Sequence, residues 1–259
     1  MPTQIGYAAA FHRLHVKGRP VVLYNIWDAG TAQAVARAGA KAIATGSWSV
    51  AAAHGFEDGE CIPLDSALAN LREIVAAVQL PVTLDLEAGY GAAPDAVATT
   101  VTKAIQAGAI GCNLEDRIIG AAGLYSEEQQ AARVRAARTA ADRAEVPFFI
   151  NARTDLFLKA DPAKHDAALA SAALARAHAY AAAGASGFFA AGLIDESLIA
   201  TVCAECPLPV NILVRPNGPS GNRLAALGVA RISYGPGPYR AAMQAIEDAA
   251  RLANASVEA

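Results

Sequence analysis

The sequence predicts an α/β protein whose fold is a (β/α)8 TIM barrel, formed by residues 1–259 as a single domain. Eight short apolar segments with strand character recur along the chain, separated by Ala-rich segments with helical periodicity. The 259 residues are 54% hydrophobic and 17% charged, which is enough apolar material for one core of barrel size. An open doubly wound sheet normally has fewer strands and a Gly-rich fingerprint after the first strand, which residues 25–30 (NIWDAG) lack.

The odd-numbered strands are predicted from a proline at the start of each. Proline in that position begins a strand without removing a hydrogen bond from the middle of a ladder. The predicted first, third, fifth and seventh strands are residues 19–25, 80–85, 146–151 and 208–213.

The even-numbered strands are predicted from a glycine that would end the preceding helix. Glycine just past the last helical residue adopts the left-handed conformation of a helix C-cap. The predicted second, fourth, sixth and eighth strands lie in residues 38–43, 107–112, 183–188 and 227–232. Residues 68–78, 96–107 and 167–183 are examples of the intervening helical patterns.

The charge and hydropathy patterns exclude several classes of partner. The formal net charge is −3 and the chain has no run of Lys or Arg, so we expect neither nucleic acid nor an anionic membrane surface as a partner. Residues 1–19 contain no continuous apolar stretch, so no export signal or membrane span is predicted and a cytoplasmic location is expected. A small soluble molecule remains as the expected partner.

Acidic residues close two neighbouring strands of the predicted barrel. Asp85 and Glu87 lie two residues apart in LDLEAGYG (residues 84–91), so they face the same side, and Glu115 and Asp116 close the next strand. Carboxylate oxygens at this density favour a hard divalent cation. We therefore predict a site for Mg²⁺, with Mn²⁺ as a possible substitute, where three or four of these carboxylates meet.

Other candidate residues also close strands, because barrel enzymes place their chemistry at the carboxyl ends of the strands. The guanidinium of Arg153 could hold a carboxylate or phosphonate in a bidentate manner. Backbone N–H groups around Gly46 and Ser47 could form an anion-binding loop. No lysine fits a strand end in an apolar surround, which disfavours a Schiff-base aldolase. The predicted substrate-binding residues are Tyr24, Gly46, Ser47, Trp48, Asp85, Arg153 and Asn211.

Three motifs in order along the chain resemble those of the isocitrate lyase/phosphoenolpyruvate mutase superfamily. The segments LDLEAGYG, CNLED and INARTD correspond to the patterns LDxDxGYG, xxLED and xARxD, and the similarity extends from about Tyr24 to Tyr239. The resemblance implies that Asp85 is the principal metal ligand, with Glu87, Glu115 and Asp58 acting directly or through water.

The same resemblance implies roles in catalysis and substrate binding. Arg153 would hold the substrate carboxylate, and Ser47 and Trp48 would hold the other end of a 2-oxo acid. Arg153, Asp58 and Glu115 are accordingly the candidate catalytic residues.

The loop after the fourth strand departs from the resemblance. Lyases of this superfamily carry KxCGH there, whereas this chain has RIIGAAGLY (residues 117–125). The lysine and asparagine of the phosphonate mutases are also missing, and Ala190-Ala191 stands in place of a mutase histidine.

We therefore expect a Mg²⁺-dependent carbon–carbon lyase or decarboxylase that acts on a small, oxaloacetate-like 2-oxo or 2-hydroxy dicarboxylic acid through an enolpyruvate-type anion. The alternatives are a phosphonopyruvate or carboxyphosphonoenolpyruvate mutase and a catalytically silent metabolite-binding barrel. The Gly- and Pro-rich segments 217–221 and 234–238 support the mutase alternative, because many barrels bind phosphate after these strands.

The resemblance also implies a homodimer or homotetramer whose subunits exchange a C-terminal helix. The Ala-rich segment 240–255 is the candidate for that helix. The alternative is a final barrel helix that packs on its own subunit.

Overall fold

The computed structural model describes residues 3–256 and confirms the predicted barrel. Its strands are β1 (Val21–Leu23), β2 (Ile43–Ala44), β3 (Val82–Asp85), β4 (Gly111–Glu115), β5 (Phe149–Thr154), β6 (Gly187–Ala190), β7 (Val210–Leu213) and β8 (Arg231–Ser233). They form one parallel sheet in the order β1-β8-β7-β6-β5-β4-β3-β2. Every predicted strand segment overlaps an observed strand.

Helices follow each strand, as a (β/α)8 alternation requires. They are α1 (Gln4–Leu14), α2 (Ala29–Arg37), α3 (Ser47–Ala53), α4 (Leu64–Ala77), α5 (Pro94–Gln106), α6 (Glu127–Arg143), α7 (Leu156–Lys159), α8 (Ala167–Ala182), α9 (Glu196–Glu205), α10 (Gly221–Ala226) and α11 (Gly237–Ala255). A 3₁₀ turn, Pro162–Lys164, lies between α7 and α8. No helix among residues 3–256 combines the length and apolar character needed to cross a lipid bilayer.

Side-chain caps begin several of these helices. The Asp28 carboxylate accepts a hydrogen bond of 2.7 Å from the backbone N–H of Thr31 at the start of α2, and Ser126 caps α6 in the same way. Each cap satisfies an N–H that has no partner within its helix. The loops at the carboxyl ends of these strands are thereby fixed where they enter the helix.

The sheet closes between β1 and β2 through a short parallel bridge. Ile26 pairs with Thr45, and the backbone N–H of Ile26 donates to the carbonyl of Ala44 at 2.9 Å. The N–H of Gly46 returns a bond of 3.0 Å to the carbonyl of Ile26. This bridge brings the loop after β2 against the end of β1.

Helix α1 covers the amino-terminal end of the barrel, which the strand pattern did not predict. Phe11 is fully buried, and its ring lies 5.3 Å from that of Phe149 at the start of β5. The His15 ring stacks on Phe149 at 4.0 Å. The candidate site lies at the opposite, carboxyl end of the barrel.

The outer face of β1 is uncovered. Val22 and Tyr24 are 47% and 43% exposed, and they line an apolar groove of about 750 Å³ together with Leu14 and Val35. The final helix, α11, does not cover them, since Pro238 is its one buried residue within the described chain. Farther along α11, Ile246 and Leu252 are 59% and 75% exposed.

Candidate active site

Asp85 lies at the centre of the candidate site, at the last position of β3. Its Oδ2 accepts hydrogen bonds from the backbone N–H (3.1 Å) and the hydroxyl (2.8 Å) of Ser47. Its Oδ1 accepts a bond of 3.2 Å from Nδ2 of Asn113 on β4. Donors from two neighbouring strand ends therefore fix the orientation of this carboxylate.

Glu87 secures the loop that carries Asp58. Its Oε2 accepts hydrogen bonds of 2.8 Å from the backbone N–H groups of both Gly59 and Glu60. In return, the carboxylate of Glu60 accepts a 2.7 Å bond from the backbone N–H of Tyr90. Glu87, Glu60 and Tyr90 have φ values of 51°, 60° and 55°, a left-handed region that costs energy for residues with a side chain.

Arg153 lies between two acids. Its Nη1 is 2.8 Å from Oε2 of Glu115, and its Nε and Nη2 donate to the two carboxylate oxygens of Asp155 at 2.6 and 3.1 Å. The register of β4 and β5 produces the first contact, because it places Glu115 opposite Arg153. A guanidinium has five N–H donors, so Arg153 retains N–H groups for a substrate carboxylate.

Burial and mutual repulsion raise the pKa values of several carboxyl groups in the site. Burial raises the pKa of Glu87 to about 7, and the nearby charges of Asp58 and Asp85 add to this. Burial and the Asp85 charge also raise the pKa of Asp58. Burial raises the pKa of Glu115, while the Arg153 charge opposes the shift. The carboxyl ends of β2, β3 and β4 thus share a region of concentrated negative charge.

This donor set fits Mg²⁺ bound mainly through water. Within residues 3–256, no three His, Cys, Asp or Glu side chains are grouped for direct coordination of one ion. Glu87 and Glu115 are held by backbone N–H groups and by Arg153, so Asp85 is the carboxylate best placed for direct contact. Mg²⁺ usually keeps several waters and contacts one or two carboxylates, which is compatible with this arrangement.

Asp116 does not join the carboxylate group, although it follows Glu115 directly. Consecutive strand residues face opposite sides, and Asp116 accepts hydrogen bonds of 3.0 Å from both Arg176 and Tyr180 on α8. It also accepts 2.9 Å from the backbone N–H of Asp155. Of the four strand-end acids, Asp116 is therefore the one that lies outside the carboxylate group around Asp85.

The loop formed by residues 117–125 folds over the Asp58 side of the site as a small hairpin. Arg117 pairs with Leu124, and its guanidinium lies 3.6 Å from the Asp58 carboxylate. At the other end, the Tyr125 ring lies 4.2 Å from the guanidinium of Arg133. Arg133 in turn donates to the carbonyl groups of Ala88, Gly91 and Ala92 in the loop after β3.

The predicted substrate-binding residues after β2 have different surroundings. Gly46 is the N-cap of α3, and Ser47 contacts Asp85. The Trp48 ring faces α11 instead, with the Tyr239 ring at 5.8 Å and the Arg240 guanidinium at 4.8 Å. The ring of Trp48 therefore points away from Asp85, and the group of Trp48 that could donate to an anion is its backbone N–H in the first turn of α3.

Tyr24, which is predicted to bind substrate, lies apart from the residues grouped around Asp85. Its ring points to the outer face of β1, 5.1 Å from the ring of Tyr234, and lines the external groove. Its neighbour Asn25 faces inward, where its Oδ1 accepts 2.9 and 2.8 Å bonds from the backbone N–H groups of Tyr234 and Gly235. Asn211 is fully buried inside the barrel and accepts 3.2 Å from the Ser233 hydroxyl.

Two residues that position the site were not among the predicted site residues. Asn113 contacts Asp85 and lies two positions before Glu115, so period-two spacing places both on the inner face of β4. Glu60 holds the turn at Tyr90, and no sequence signal indicated that contact.

The barrel has a group of carboxylates at the carboxyl ends of its strands and a guanidinium beside them, at the end where barrels of this kind carry their active sites. Residues 11–253 match the sequence model of the phosphoenolpyruvate phosphomutase family. The chain belongs to that family, and the resemblance to the isocitrate lyase/phosphoenolpyruvate mutase superfamily is confirmed.

Relatives carry several activities in their names. A Burkholderia cenocepacia J2315 structure, described provisionally as a phosphonomutase, is 50% identical with a TM-score of 0.95, over 97% of this chain and 100% of that one. The 2-methylisocitrate lyase of Escherichia coli K12 is 31% identical over 78% of this chain and 67% of its own. The oxaloacetate decarboxylase of Pseudomonas entomophila L48 is 28% identical over 94% of this chain and 83% of its own.

Proposed function

We propose that this protein is a Mg²⁺-dependent carbon–carbon lyase or decarboxylase of a small 2-oxo or 2-hydroxy dicarboxylic acid, with an oxaloacetate-like acid as the first candidate. The proposal rests on two features of one site. The carboxylate of Asp85 is held in one orientation, and the guanidinium of Arg153 retains N–H groups that could bind a substrate. The family contains a named oxaloacetate decarboxylase and a named 2-methylisocitrate lyase.

The candidate site residues would have separate roles in binding the metal and the substrate. Asp85 would hold Mg²⁺, with Glu87, Glu115 and Asp58 contributing through water, and Mn²⁺ could substitute. Once bound, the ion would act as a Lewis acid that polarises a 2-oxo group. Arg153 would hold the substrate carboxylate, and Ser47 and Trp48 would orient the other end.

The composition of the 117–125 loop favours decarboxylation over aldol cleavage. The loop contains no Cys, His or Lys, and its one tyrosine, Tyr125, has its ring against the guanidinium of Arg133. Decarboxylation to an enolpyruvate-type anion needs no protein base to begin. The same loop lacks the lysine and asparagine of the mutases, which makes phosphoryl transfer the second candidate.

A turnover screen tests the proposal. Oxaloacetate, 2-methylisocitrate, isocitrate and phosphonopyruvate are incubated with the protein and Mg²⁺, and pyruvate, glyoxylate and phosphoenolpyruvate are followed by mass spectrometry. Pyruvate from oxaloacetate, or an aldol cleavage product, supports the proposal. Phosphoenolpyruvate from phosphonopyruvate establishes the mutase instead, and silence across the panel with retained binding favours a metabolite-binding barrel.

We also propose that two copies of the chain exchange α11. The outer faces of barrel strands are normally covered by helices, yet Val22 and Tyr24 of β1 are exposed and α11 leaves Ile246 and Leu252 in solvent. An apolar helix face from one copy and an apolar groove on another would cover both surfaces. A homodimer or homotetramer is the expected assembly.

A further inference from the structure

Arg231 places a positive charge inside the barrel, close to the candidate site. It is the first residue of β8, is 1% exposed, and has no ion-pair partner among the described acids of residues 3–256. Barrel interiors are usually filled with branched apolar side chains, and a buried charge without a partner is costly. Burial lowers the pKa of Arg231 to about 9, so the guanidinium remains charged at neutral pH.

Among residues 3–256, the guanidinium of Arg231 makes one hydrogen bond, to Asn113, and Asn113 in turn contacts Asp85. Nη2 of Arg231 donates to Oδ1 of Asn113 at 3.1 Å, and Nδ2 of Asn113 donates to Oδ1 of Asp85 at 3.2 Å. Asn151 donates a second bond, of 2.9 Å, to the same oxygen of Asn113. The three side chains come from β8, β4 and β5 and meet inside the barrel.

Arg231 has a property that the two asparagines lack. A carboxamide can turn by 180° and exchange its donor and acceptor ends, whereas a guanidinium only donates. If Asn113 turned, its NH₂ would face the guanidinium and its oxygen would face the carboxylate of Asp85. Both contacts would be repulsive, so Arg231 admits only one orientation of the Asn113 amide.

We propose that Arg231 is a positioning residue for the active site, which fixes Asn113 so that its N–H always faces Asp85. The inference deepens the proposed function and rests on it where Asp85 is assigned to the metal. The Ser47 groups hold Oδ2 of Asp85 and Asn113 holds Oδ1, so loss of either side frees the carboxylate to rotate. Groups that orient a ligand in this way typically change metal affinity by about 10–100-fold.

Mn²⁺ binding, followed by electron paramagnetic resonance, separates this role from a simple charge effect. Arg231→Met should weaken Mn²⁺ binding by about tenfold, and Arg231→Lys, which also only donates, should stay close to the unmodified protein. A through-space effect has the opposite sign, because removing a positive charge tightens cation binding. Unchanged or tighter binding in Arg231→Met therefore overturns the inference.

A double-mutant cycle tests the route through Asn113. Asn113→Ala alone should weaken Mn²⁺ binding, and Arg231→Met added to it should have no further effect. Independent losses of Mn²⁺ affinity from the two substitutions would contradict a role of Arg231 that acts through Asn113. Should Arg231→Met fail to fold, Arg231→Gln replaces it with the same expected loss, because a Gln amide can present either end to Asn113.

A measurement without metal keeps this inference distinguishable from the proposed function. If the unmodified protein binds no Mn²⁺, the proposed function fails, and the positioning role is then decided by urea unfolding of Arg231→Met and Asp85→Asn, singly and combined. If the midpoint shifts of these two variants are non-additive, and become additive when Asn113→Ala is also present, the result supports coupling of Arg231 to Asp85 through Asn113. Additive midpoints throughout overturn it, since Arg231 and Asp85 do not touch.

Discussion

Glu87 combines an unfavourable backbone with a favourable side-chain contact. Its φ of 51° is left-handed, and its carboxylate receives the N–H groups of Gly59 and Glu60. The contact places Asp58 beside Asp85, so the conformational cost is offset by a loop held in place. Glu87 therefore acts on the site by holding the loop that carries Asp58.

Replacement of Glu87 separates its charge from its contacts. Glu87→Ala leaves two backbone N–H groups without an acceptor and should lower the free energy of unfolding by about 1–3 kcal/mol. Glu87→Gln keeps an acceptor oxygen and should lose less. Urea unfolding measures both, and equal losses in the two variants would contradict a hydrogen-bonding role.

His15 makes stability depend on pH. Burial, followed by the charge of Arg231, lowers its pKa from 6.5 to about 3. Between these values the unfolded chain binds a proton that the folded chain does not, so this contribution is complete above pH 6.5 and is lost as the pH falls. His15→Leu should remove a slope of up to about 1.4 kcal/mol per pH unit.

Thermal unfolding of His15→Leu and the unmodified protein between pH 7 and 4 checks this. His178→Leu on α8, where the side chain is exposed, serves as the matched control and should retain the slope. A parallel pH dependence for His15→Leu and the unmodified protein would exclude His15 as its source.

At the scale of elements, the 117–125 loop is anchored at its base and free at its tip. Tyr125 returns a backbone bond of 2.8 Å to the carbonyl of Asp116, and Arg176 donates to both the Asp116 carboxylate and the Tyr125 carbonyl. No comparable side-chain contact is recorded for the tip, residues 119–122, within the described chain. The side-chain hydrogen bonds that hold this loop are therefore concentrated at its base.

Removal of the anchor should loosen the whole loop. Arg176→Met leaves the buried Asp116 carboxylate without its cation, a change that typically costs about 3–5 kcal/mol, and should expose the bond after Arg117 to trypsin. Limited proteolysis followed by mass spectrometry measures the cleavage rate at that bond. Arg223→Met removes an exposed pair with Glu196 and should leave the rate unchanged; equal rates in both variants would exclude an anchoring role.

At the scale of the whole molecule, the sheet of the barrel is closed, but helices do not cover all of its outer surface. The β1–β2 bridge closes the strands, while the exposed groove beside β1 and the projecting end of α11 remain uncovered. Both surfaces are apolar, and exposed apolar patches of this kind mark association sites.

Charge placed on α11 should dissociate the proposed assembly. Ile246→Glu together with Leu252→Glu should shift the molecular mass in light scattering toward the single chain, because each carboxylate would have to be buried without a partner. Ile5→Glu, at a site of similar exposure (51%) on α1, is the control. An unchanged mass in the double variant would place the interface elsewhere.

The barrel was predictable because its signals are local, and much of the site was not. Proline and glycine mark strand starts within a few residues, so each strand was found. The apolar run from Val21 to Tyr24 hides which residues face inward, so the outward position of Tyr24 could not be predicted. Arg231 and Asn113 lie 118 residues apart, and nothing in the neighbourhood of either residue signals their contact.

The position of α1 has a kinetic consequence. Gln4 donates to the carbonyl groups of Ile105 and Ala109, and His12 contacts that of Pro147, at separations of 101, 105 and 135 residues. Contacts so distant in sequence slow folding because a long loop must close before they form. Helix α1 therefore packs against the amino-terminal end of the barrel only after the segments around β4 and β5 have come together, and its docking is expected to be a late step of folding.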